Sequence, residues 1–343
     1  MIVNRVKIVN ELESKQNVLK AIDAGELAYG KSLNELEKNL KHLFDKKFCV
    51  LTSNGFSSIF LSIKALKLKN QKILIPAISS CFCFVHAIKA SGNIPIFCDV
   101  DEQSGNIDYN SAVKIYNKVG YKAIVYPNHN GVICDVKKFE QLSVPIIEDC
   151  AQSFLSNTEI KSNSTFQVFS FFPTKISNGI DGGAILTDDI NFYNHLKDIV
   201  YYGHQVSNDE IIRYNFKMQN INSAFLLGTL SKIEDYKINI SKYKKEYNTY
   251  LKKITDFEIL NHNINYPFKY MIKFKDQQSC EYFLKKFKDF GVSKDFNFLT
   301  NEIESFPNSS SLVFNSCSLP IYPGLKMSEI KLICDKIKYL YDN

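Results

Sequence analysis

The run Val144-Pro145-Ile146-Ile147-Glu148-Asp149 is a short apolar segment that ends in two acidic residues. Residues 123–126 form a similar β-type run, and residues 135–142 between the two runs carry helical spacing. The same alternation occurs earlier in the chain, with β-type runs at 72–75 and 94–98 and helical patterns at 84–90 and 108–119. Strands that alternate with helices at this spacing predict a mostly parallel sheet covered by helices on both faces. The ligand crevice of such a sheet lies at the carboxyl ends of the strands, where Glu148 and Asp149 fall.

The flanking segments extend this architecture. Further strands are expected at residues 48–51 and 184–187, and further helices at 12–24, 32–45, 59–66 and 190–200. A long amphipathic stretch over 221–254 leads to a smaller part, with a strand at 270–274 and a last helix that Ser328 would cap. The sequence therefore predicts an α/β protein. Its large domain, residues 1–240, would have three α/β/α layers around a mostly parallel mixed sheet, and a smaller α+β C-terminal domain would span 241–343.

The composition is that of an ordinary globular protein, with 45% hydrophobic and 23% charged residues in a chain of 343. No apolar run reaches the length of a membrane span and the first residues lack the layout of a secretion signal, so we expect a cytoplasmic protein with no membrane partner. The net charge of +6 comes almost wholly from lysines with acidic neighbours, which argues against nucleic acid as a partner. A charge of this size would suit a phosphorylated, anionic small molecule.

The cysteines give no sign of a metal site. Nine of them are scattered through the chain, mostly within apolar runs. No Cys-x-x-Cys pair occurs and the number is odd, so we expect buried free thiols rather than disulfides or zinc ligands.

A lysine stands among apolar and small residues in Phe169-Ser170-Phe171-Phe172-Pro173-Thr174-Lys175. The glycine-rich segment Asn178-Gly179-Ile180-Asp181-Gly182-Gly183 follows it. Lysine is seldom fully buried without a partner, and removal from water lowers its pKa and frees its amine as a nucleophile. Lys175 is therefore a candidate catalytic residue, and the alternative is a surface lysine in a turn.

Two other segments have the composition of ligand-binding turns. Thr52-Ser53-Asn54-Gly55-Phe56-Ser57-Ser58 joins a predicted strand to a predicted helix, where backbone N–H groups can bind an anion. Ser53 or Asn54 could equally be a plain helix N-cap. Asp149 is a candidate functional acid at the sheet edge, although it too could be a helix N-cap.

Together these features match the needs of pyridoxal 5′-phosphate. This cofactor requires a seat for its phosphate, here the turn at Asn54-Gly55, and a lysine for covalent attachment, here Lys175. It also requires a carboxylate beside its ring nitrogen, here Asp149. The carboxylate keeps that nitrogen protonated, so that the ring can accept electrons when a substrate carbon loses its proton.

The sequence also resembles the DegT/StrS family of sugar aminotransferases, which have the aspartate-aminotransferase fold. The resemblance covers nearly the whole chain and consists of six segments in the family's order. These segments are Thr52-Ser53-Asn54-Gly55, Ile146-Ile147-Glu148-Asp149-Cys150-Ala151-Gln152, Ser170-Phe171-Phe172-Pro173-Thr174-Lys175, Asp181-Gly182-Gly183-Ala184, Tyr214-Asn215-Phe216-Lys217-Met218 and Ser318-Leu319-Pro320-Ile321.

The resemblance implies roles around the cofactor ring. Lys175 would hold pyridoxal phosphate covalently, Asp149 would pair with the pyridine nitrogen, and Gln152 would hydrogen-bond the ring hydroxyl. An aromatic residue of the segment after Pro76 stacks on the cofactor in this family. That segment is one residue longer in this chain, so Phe82 is assigned to this position with Cys81 as its alternative. Phe82 could also be an ordinary core residue.

The resemblance also implies a phosphate site. Ser170 and the backbone N–H groups of Gly55 and Phe56 would hold the phosphate. Phe56 stands where the family often has a threonine, so the hydroxyl of Ser57 would substitute unless backbone groups suffice. Asn215 would reach the phosphate from a neighbouring subunit, which implies a homodimer with shared active sites.

The implied activity is an amino transfer in two stages. An amino acid, expected to be glutamate, would give its amino group to the cofactor, which would then aminate a keto-sugar carried on a nucleotide. The product would enter amino-sugar or surface polysaccharide biosynthesis. Arg213 is a candidate for holding the donor's carboxylate. The alternatives are a pyridoxal-dependent sugar dehydratase of the same fold, in which a histidine would replace Lys175, and a non-catalytic sensor or binding protein.

Overall fold

A computed structural model describes residues 2–8, 10–203, 211–261 and 263–341. The strands in these ranges are β1 (Phe48–Thr52), β2 (Lys72–Pro76), β3 (Ile78–Ser79), β4 (Ile94–Cys98), β5 (Ala123–Pro127), β6 (Ile146–Asp149), β7 (Phe166–Ser170), β8 (Gly183–Thr187), β9 (Phe257–Ile259), β10 (Tyr270–Phe274), β11 (Asn297–Phe298) and β12 (Ser316–Leu319). The helices are α1 (Leu12–Asp23), α2 (Lys31–Leu43), α3 (Gly55–Ala65), α4 (Cys83–Ala90), α5 (Tyr109–Val119), α6 (Val136–Phe139), α7 (Phe154–Asn157), α8 (Ile190–Ile199), α9 (Asn220–Leu230), α10 (Ile233–Leu251), α11 (Gln277–Lys286), α12 (Pro307–Asn315) and α13 (Met327–Tyr341).

The main sheet has seven strands in the order β1-β8-β7-β6-β5-β2-β4. Neighbouring strands from β7 to β4 are parallel, whereas β8 is antiparallel to both β7 and β1. One reversed strand therefore makes the sheet mixed. The predicted α/β class with a mostly parallel mixed sheet is confirmed.

Alternate residues of the central strands face two different layers. Val125 and Ile147 lie opposite each other and belong to a buried cluster with residues of α3 and α4. Ile124 and Ile146, one position earlier, belong to a second cluster that includes Phe139 of α6. Strands buried on both faces are the reason that these segments read as continuous apolar runs.

The C-terminal part is built on a three-stranded antiparallel sheet in the order β12-β10-β9. Its apolar side packs with α10, α11 and α13 in one buried cluster, which includes Ile272, Phe283 and Ile333. Strand β11 leaves this part and pairs with β3, where Asn297 lies opposite Ser79. That pairing brings residues 295–298 to the carboxyl end of the main sheet. The domain division after residue 240 stays a prediction, and it falls within α10.

Four sequence expectations differ from the structure. The stretch 221–254 is two helices, α9 and α10, because α9 is buried against α1 and α2 whereas α10 packs on α13. The helix expected at 59–66 begins at Gly55, since Asn54 caps it. The helix expected at 135–142 is the four-residue α6 followed by a 3₁₀ turn. Ser328 lies inside α13 rather than before it, and the Glu329 carboxylate accepts the Lys326 N–H at that helix start.

Within the described ranges no helix combines the length and the apolar character needed to cross a membrane. The nine cysteines are free, and all but Cys81 and Cys83 are buried. The same ranges contain no group of three or more metal-type side chains placed to hold an ion.

Candidate active site

A cavity of about 750 Å³ lies at the carboxyl ends of β6 and β7. Three parts of the chain form its wall: the N-terminal residues Arg5 and Val6, the sheet edge with the turns that follow its strands, and the C-terminal part through Phe268 and Phe296. The predicted residues Gly55, Phe56, Asp149, Gln152, Ser170 and Lys175 all line it. The crevice predicted from strand order therefore exists and contains most of the candidate side chains.

Asp149 ends β6, opposite Pro127 of β5 and Val168 of β7. Its carboxylate accepts the Ala151 N–H at 3.0 Å, and the next helix begins only at Phe154, so Asp149 is not a helix N-cap. Burial raises the pKa of the Asp149 carboxyl, while the nearby Lys175 amine and the Ala151 N–H lower it. The acid predicted from the end of a buried strand thus lies at the cavity, within the electrostatic influence of the predicted lysine.

Glu148, the other acid of this pair, points away from the cavity into the protein. It is fully buried, and its carboxylate accepts hydrogen bonds from Asn128 at 2.6 Å, Ser164 at 2.9 Å and Asn157 at 3.3 Å. A buried carboxylate is tolerated only with such donors. Glu148 therefore fixes the segments around β6, whereas Asp149 faces the ligand space, since adjacent strand residues point to opposite sides.

Lys175 lies in the loop that follows β7. Its N–H donates to the Phe172 carbonyl at 2.8 Å, and its Nζ lies 5.3 Å from the centre of the Phe268 ring. The residue is half-buried. Lys175 therefore lies in a turn, as the surface-lysine alternative also expected. However, the turn directs its side chain into the cavity, beneath an aromatic ring of the C-terminal part.

The start of α3 forms an anion seat on the same wall. The Asn54 side chain accepts the Ser57 N–H at 2.9 Å, which leaves the N–H groups of Gly55 and Phe56 without an intrahelical acceptor. A Cβ on Gly55 would lie 2.7 Å from the Ser170 Cβ, so only glycine allows the helix start to approach Ser170 this closely. A helix N-terminus beside a serine hydroxyl suits a phosphate group.

Ser57, in contrast, does not reach the cavity. It is almost completely buried, and its hydroxyl donates to the Asn54 side chain at 3.0 Å and lies 2.8 Å from the Ser53 hydroxyl. Its proposed contact with the phosphate stays a prediction. The arrangement of Asn54 and Ser53 favours the backbone alternative, in which the N–H groups of Gly55 and Phe56 suffice.

Gln152 uses both ends of its side-chain amide. Its oxygen accepts the Asn130 N–H at 3.0 Å, and its nitrogen donates to the Ser80 hydroxyl at 2.6 Å. Gln152 therefore links the turn after β5 to the turn after β3. Its predicted bond to the ring hydroxyl is untested and would replace or share one of these contacts.

The segment after β3 places Cys81 and Cys83 in the wall, whereas Phe82 points outward with 49% of its surface exposed. The Cys83 N–H donates to the Cys81 sulfur at 3.3 Å. Hydrogen bonding from Cys83 lowers the pKa of the Cys81 thiol to about 6. The stacking role of Phe82 stays a prediction, and in this structure the Phe82 side chain does not line the cavity. Its alternative, Cys81, does line the cavity.

Asn215 and Arg213 lie away from the cavity wall. Asn215 is exposed, and its side-chain oxygen accepts a hydrogen bond from Lys217 at 2.7 Å. Exposure is what a residue that reaches into a neighbouring subunit requires, and this role stays a prediction. The Arg213 guanidinium makes two bonds to the Asp198 carboxylate, at 2.8 and 3.1 Å, so it is committed to structure in this chain.

Several wall residues were not predicted from the sequence. His129 and Asn130 follow β5, and the rule that indicated Asp149, a polar turn after a buried strand, could have found them. Burial lowers the pKa of the His129 imidazole to about 4, and its Nδ1 lies 2.8 Å from the Gly105 carbonyl. The ring is therefore neutral, with Nδ1 as its donor. Arg5 and Asp295 are far apart in sequence and carry no local signal.

The wall residues fit pyridoxal phosphate. Lys175 offers an amine and Asp149 a carboxylate, and both face the same space as the anion seat. The close Gly55–Ser170 approach, which a Cβ would disrupt, explains why a phosphate-binding turn at this position would need a glycine. The combination of amine, carboxylate and phosphate seat is the set that this cofactor requires.

Comparison with known proteins agrees with this fit. The model of the DegT/DnrJ/EryC1/StrS aminotransferase family matches residues 9–338. The chain is 25% identical to a GDP-perosamine synthase of Escherichia coli O157:H7 over 338 residues, which cover 92% of this chain and 91% of that protein. It is also 25% identical to a UDP-2-acetamido-2-deoxy-3-oxo-D-glucuronate aminotransferase of Pseudomonas aeruginosa, over 92% of this chain and 93% of that protein.

Solved structures share the fold at lower identity. The Helicobacter pylori protein PseC, an aminotransferase involved in the biosynthesis of pseudoaminic acid, superimposes with a TM-score of 0.88 at 19% identity, covering 99% of both chains. A DegT DnrJ EryC1 StrS aminotransferase from Brucella abortus has a TM-score of 0.83 at 20% identity, covering 96% of both chains. These similarities show the aminotransferase fold over nearly the whole chain.

Proposed function

Since the chain belongs to the DegT/DnrJ/EryC1/StrS aminotransferase family, we propose that it moves an amino group from glutamate to a keto-sugar carried on a nucleotide. It is a sugar aminotransferase that depends on pyridoxal phosphate. The observation that supports the proposal is that Lys175, Asp149 and the start of α3 line one cavity. Two relatives are named for GDP-linked and UDP-linked sugars, which supports a nucleotide-linked acceptor.

Residues of the cavity wall have distinct chemical roles in this proposed reaction. Pyridoxal phosphate supplies, when bound, an electron sink for the carbon that loses its proton. The Asp149 carboxylate holds a proton on the ring nitrogen, and the Lys175 amine carries a proton to and from the substrate carbon as a general acid and base. Ser170 and the N–H groups that begin α3 bind the phosphate and fix the orientation.

The C-terminal part limits the access of water to this chemistry. Phe268 lies over the Lys175 amine, and Phe296 packs edge-on against His129 with ring centres 5.3 Å apart. Apolar rings at the reacting amine keep water from competing for the proton.

We place the reaction in the cytoplasm, because nine free thiols suit a reducing compartment. We also propose a homodimer, in which Asn215 of one subunit reaches the phosphate of the other. The product would serve amino-sugar or surface polysaccharide biosynthesis.

Borohydride trapping followed by peptide mapping tests the assignment of the lysine. Reduction of the protein loaded with pyridoxal phosphate should fix the label on Lys175, and Lys175→Ala should lose the visible absorbance and turnover. A label on another lysine, or retained turnover in the variant, would rule the mechanism out.

Glutamate and a panel of nucleotide-linked sugars test the substrates. Conversion of the cofactor absorbance by glutamate, and by at least one nucleotide-linked amino sugar in the reverse direction, is expected. The dehydratase alternative predicts loss of water from the sugar without net amino transfer, and the sensor predicts binding without any spectral conversion.

A further inference from the structure

Two buried polar side chains at the cavity each have one atom without a hydrogen-bond partner among the described residues. Asp295 is 7% exposed and Asn130 is 2% exposed, and both residues line the cavity. Within the described part of the chain, neither the Asp295 Oδ2 nor the Asn130 Nδ2 has a partner. Buried polar groups are nearly always satisfied, so two such atoms at one cavity indicate that a ligand completes them.

The two segments that carry these side chains are held together. His129 and Phe296, their immediate neighbours, pack ring against ring at 5.3 Å. The β3–β11 pair fixes the chain just after Asp295, and the Phe268 N–H donates to the Asn130 carbonyl at 3.1 Å. Asn130 and Asp295 are therefore fixed on adjoining parts of the wall by contacts of the backbone and of neighbouring rings.

Further contacts hold the Asp295 carboxylate and the backbone that carries Asn130. Arg5 donates to the Asp295 Oδ1 at 2.9 Å, which commits one carboxylate oxygen and leaves the other unpaired. Asn130 has a left-handed backbone with φ of 55°, a conformation that asparagine adopts more readily than most residues. Its N–H is bound to Gln152, so the backbone at Asn130 is tied to the cofactor side of the cavity.

The chemistry of the two free atoms restricts the ligand. A carboxylate oxygen only accepts hydrogen bonds, and an amide nitrogen only donates. Phosphate and carboxylate groups have no proton to give Asp295 and would be repelled by it. A sugar hydroxyl can donate to Asp295 and accept from Asn130, whereas the carboxylates of glutamate only accept, and its amino group, the one donor that it has, is the group that reacts at the cofactor.

We propose that Asn130 and Asp295 bind hydroxyl groups of the acceptor sugar, and that Arg5 positions the Asp295 carboxylate for this contact. The inference rests on the proposed function, because it needs a sugar as the second substrate. It implies that the phosphates of the nucleotide lie elsewhere in the cavity. The contact would also distinguish the two substrates, because the acceptor sugar would make it and glutamate would not.

Two half-reactions that begin from the same loaded enzyme provide the test. Glutamate and a nucleotide-linked amino sugar each convert the cofactor absorbance, and the concentration dependence of each conversion gives an apparent Kd. The amino sugar is the member of a GDP-, UDP- and dTDP-linked panel that the wild-type enzyme converts. Calorimetry of the same amino sugar with the pyridoxamine-loaded enzyme gives a Kd without turnover.

Asp295→Asn keeps the shape and replaces the free acceptor with a donor, and Asn130→Asp does the reverse. Each should weaken binding of the amino sugar by roughly tenfold or more, because a hydrogen bond to a buried partner is lost. The apparent Kd of glutamate should stay within about twofold. In the double variant Asn130→Asp with Asp295→Asn, one donor and one acceptor are restored. Since hydroxyl groups both donate and accept, its Kd should rise less than the product of the two single effects.

Ser293→Ala is the matched control. Ser293 Oγ is also buried, has no partner among the residues that the structure describes, and lies two residues from Asp295, but Ser293 is not part of the cavity wall. Its loss should leave both half-reactions unchanged. Asn130→Gly keeps the left-handed backbone and removes the side-chain amide. It should also weaken amino-sugar binding selectively, which keeps the proposal testable if an Asp295 variant fails to fold.

The outcomes separate the two proposals. A selective loss of amino-sugar binding supports the subsite. Equal losses in both half-reactions, or no loss in either, would overturn the subsite and leave the proposed function standing. Conversion by glutamate but by no nucleotide-linked sugar would overturn the proposed function, and the subsite with it.

Discussion

At the scale of single residues, Cys81 is the exposed thiol at the cavity, and its ionisation can be measured. Hydrogen bonding from the Cys83 side chain, and to a smaller extent from the Cys83 N–H at 3.3 Å, lowers the pKa of the Cys81 thiol to about 6. The thiolate is the reactive form. Cys81 should therefore be largely thiolate at neutral pH, whereas an ordinary thiol is ionised only above a pH of about 8.5.

We expect alkylation of Cys81 by iodoacetamide to increase through a midpoint near pH 6, the pKa of its thiol, and to level off above it. Mass spectrometry of the Cys81 peptide in the cofactor-free protein measures the rate at each pH. Cys83→Ala removes the partner thiol, and its midpoint should move towards the ordinary value. Added pyridoxal phosphate should slow the labelling, because Cys81 lines the cavity. A wild-type midpoint near 8.5 would contradict this interpretation.

Site residues that lie in local motifs could be predicted from the sequence, whereas residues that reach the cavity through a distant contact could not. Asp149 ends a predicted strand, Lys175 lies in the loop that follows another, and both residues line the cavity. Asp295 gives no such signal, because it reaches the cavity only through the pairing of β11 with β3. The contact of Ser57 with the phosphate stays a prediction, and its hydroxyl joins the cap of α3, which favours the alternative in which backbone N–H groups suffice.

At the scale of elements, the start of α3 is the part that joins stability to cofactor binding. Asn54 caps this helix through the Ser57 N–H at 2.9 Å, and the next residues form the anion seat. A capped first turn holds the free N–H groups in a fixed direction, which is what a phosphate needs. Loss of the cap should therefore affect both folding and binding.

We expect Asn54→Ala to lower the free energy of unfolding by about 1 kcal/mol and to weaken pyridoxal phosphate binding as well. Urea denaturation of the cofactor-free protein measures the first effect, and spectral titration with the cofactor measures the second. Asp276→Ala is the matched control, because Asp276 caps α11 through the Ser279 N–H at 2.8 Å, away from the cavity. It should cost similar stability with unchanged cofactor affinity. Equal cofactor affinity in the Asn54 variant and the wild type would show that the cap has no part in the phosphate seat.

Element boundaries were predictable only where local sequence decides them. The buried parallel strands were found because they are apolar on both faces, and the helical pattern expected from residue 108 agrees with α5, which Asp108 caps. The division between α9 and α10 was missed, because both segments have helical spacing and the break depends on what each helix packs against. Tertiary contacts of this kind leave no periodic mark in the sequence.

At the scale of the whole molecule, the active site forms where the fold brings distant segments of the chain together. The N-terminus supplies Arg5, the sheet edge supplies Asp149, and the C-terminal part supplies Asp295, and all three line one cavity. Arg5 and Asp295 are 290 positions apart in the chain, and the Arg5 guanidinium lies 2.9 Å from the Asp295 Oδ1 in the structure. The fold class could be predicted from strand and helix alternation, but the meeting of these distant segments could not.

In the proposed homodimer, each active site would be completed by a residue from the second chain. Asn215 is exposed and lies outside the wall of its own cavity, so a role at the phosphate requires a second copy. Asn215→Asp would place a carboxylate against the partner's phosphate and should abolish activity in both sites of the dimer, as Lys175→Ala should for its own reason. In a mixed dimer of the two variants, one site has an intact lysine and faces an intact asparagine.

An equal mixture of the two inactive variants, unfolded and refolded together, should therefore recover activity. Half of the randomly formed dimers are mixed and one of their two sites is intact, so about a quarter of the wild-type rate is expected. Each variant refolded alone is the control and should stay inactive. Refolding is followed by amino transfer and by size-exclusion chromatography, which must show dimers in every sample. A mixture that forms dimers but stays inactive, or an active Asn215→Asp variant, would mean that each chain completes its own phosphate site.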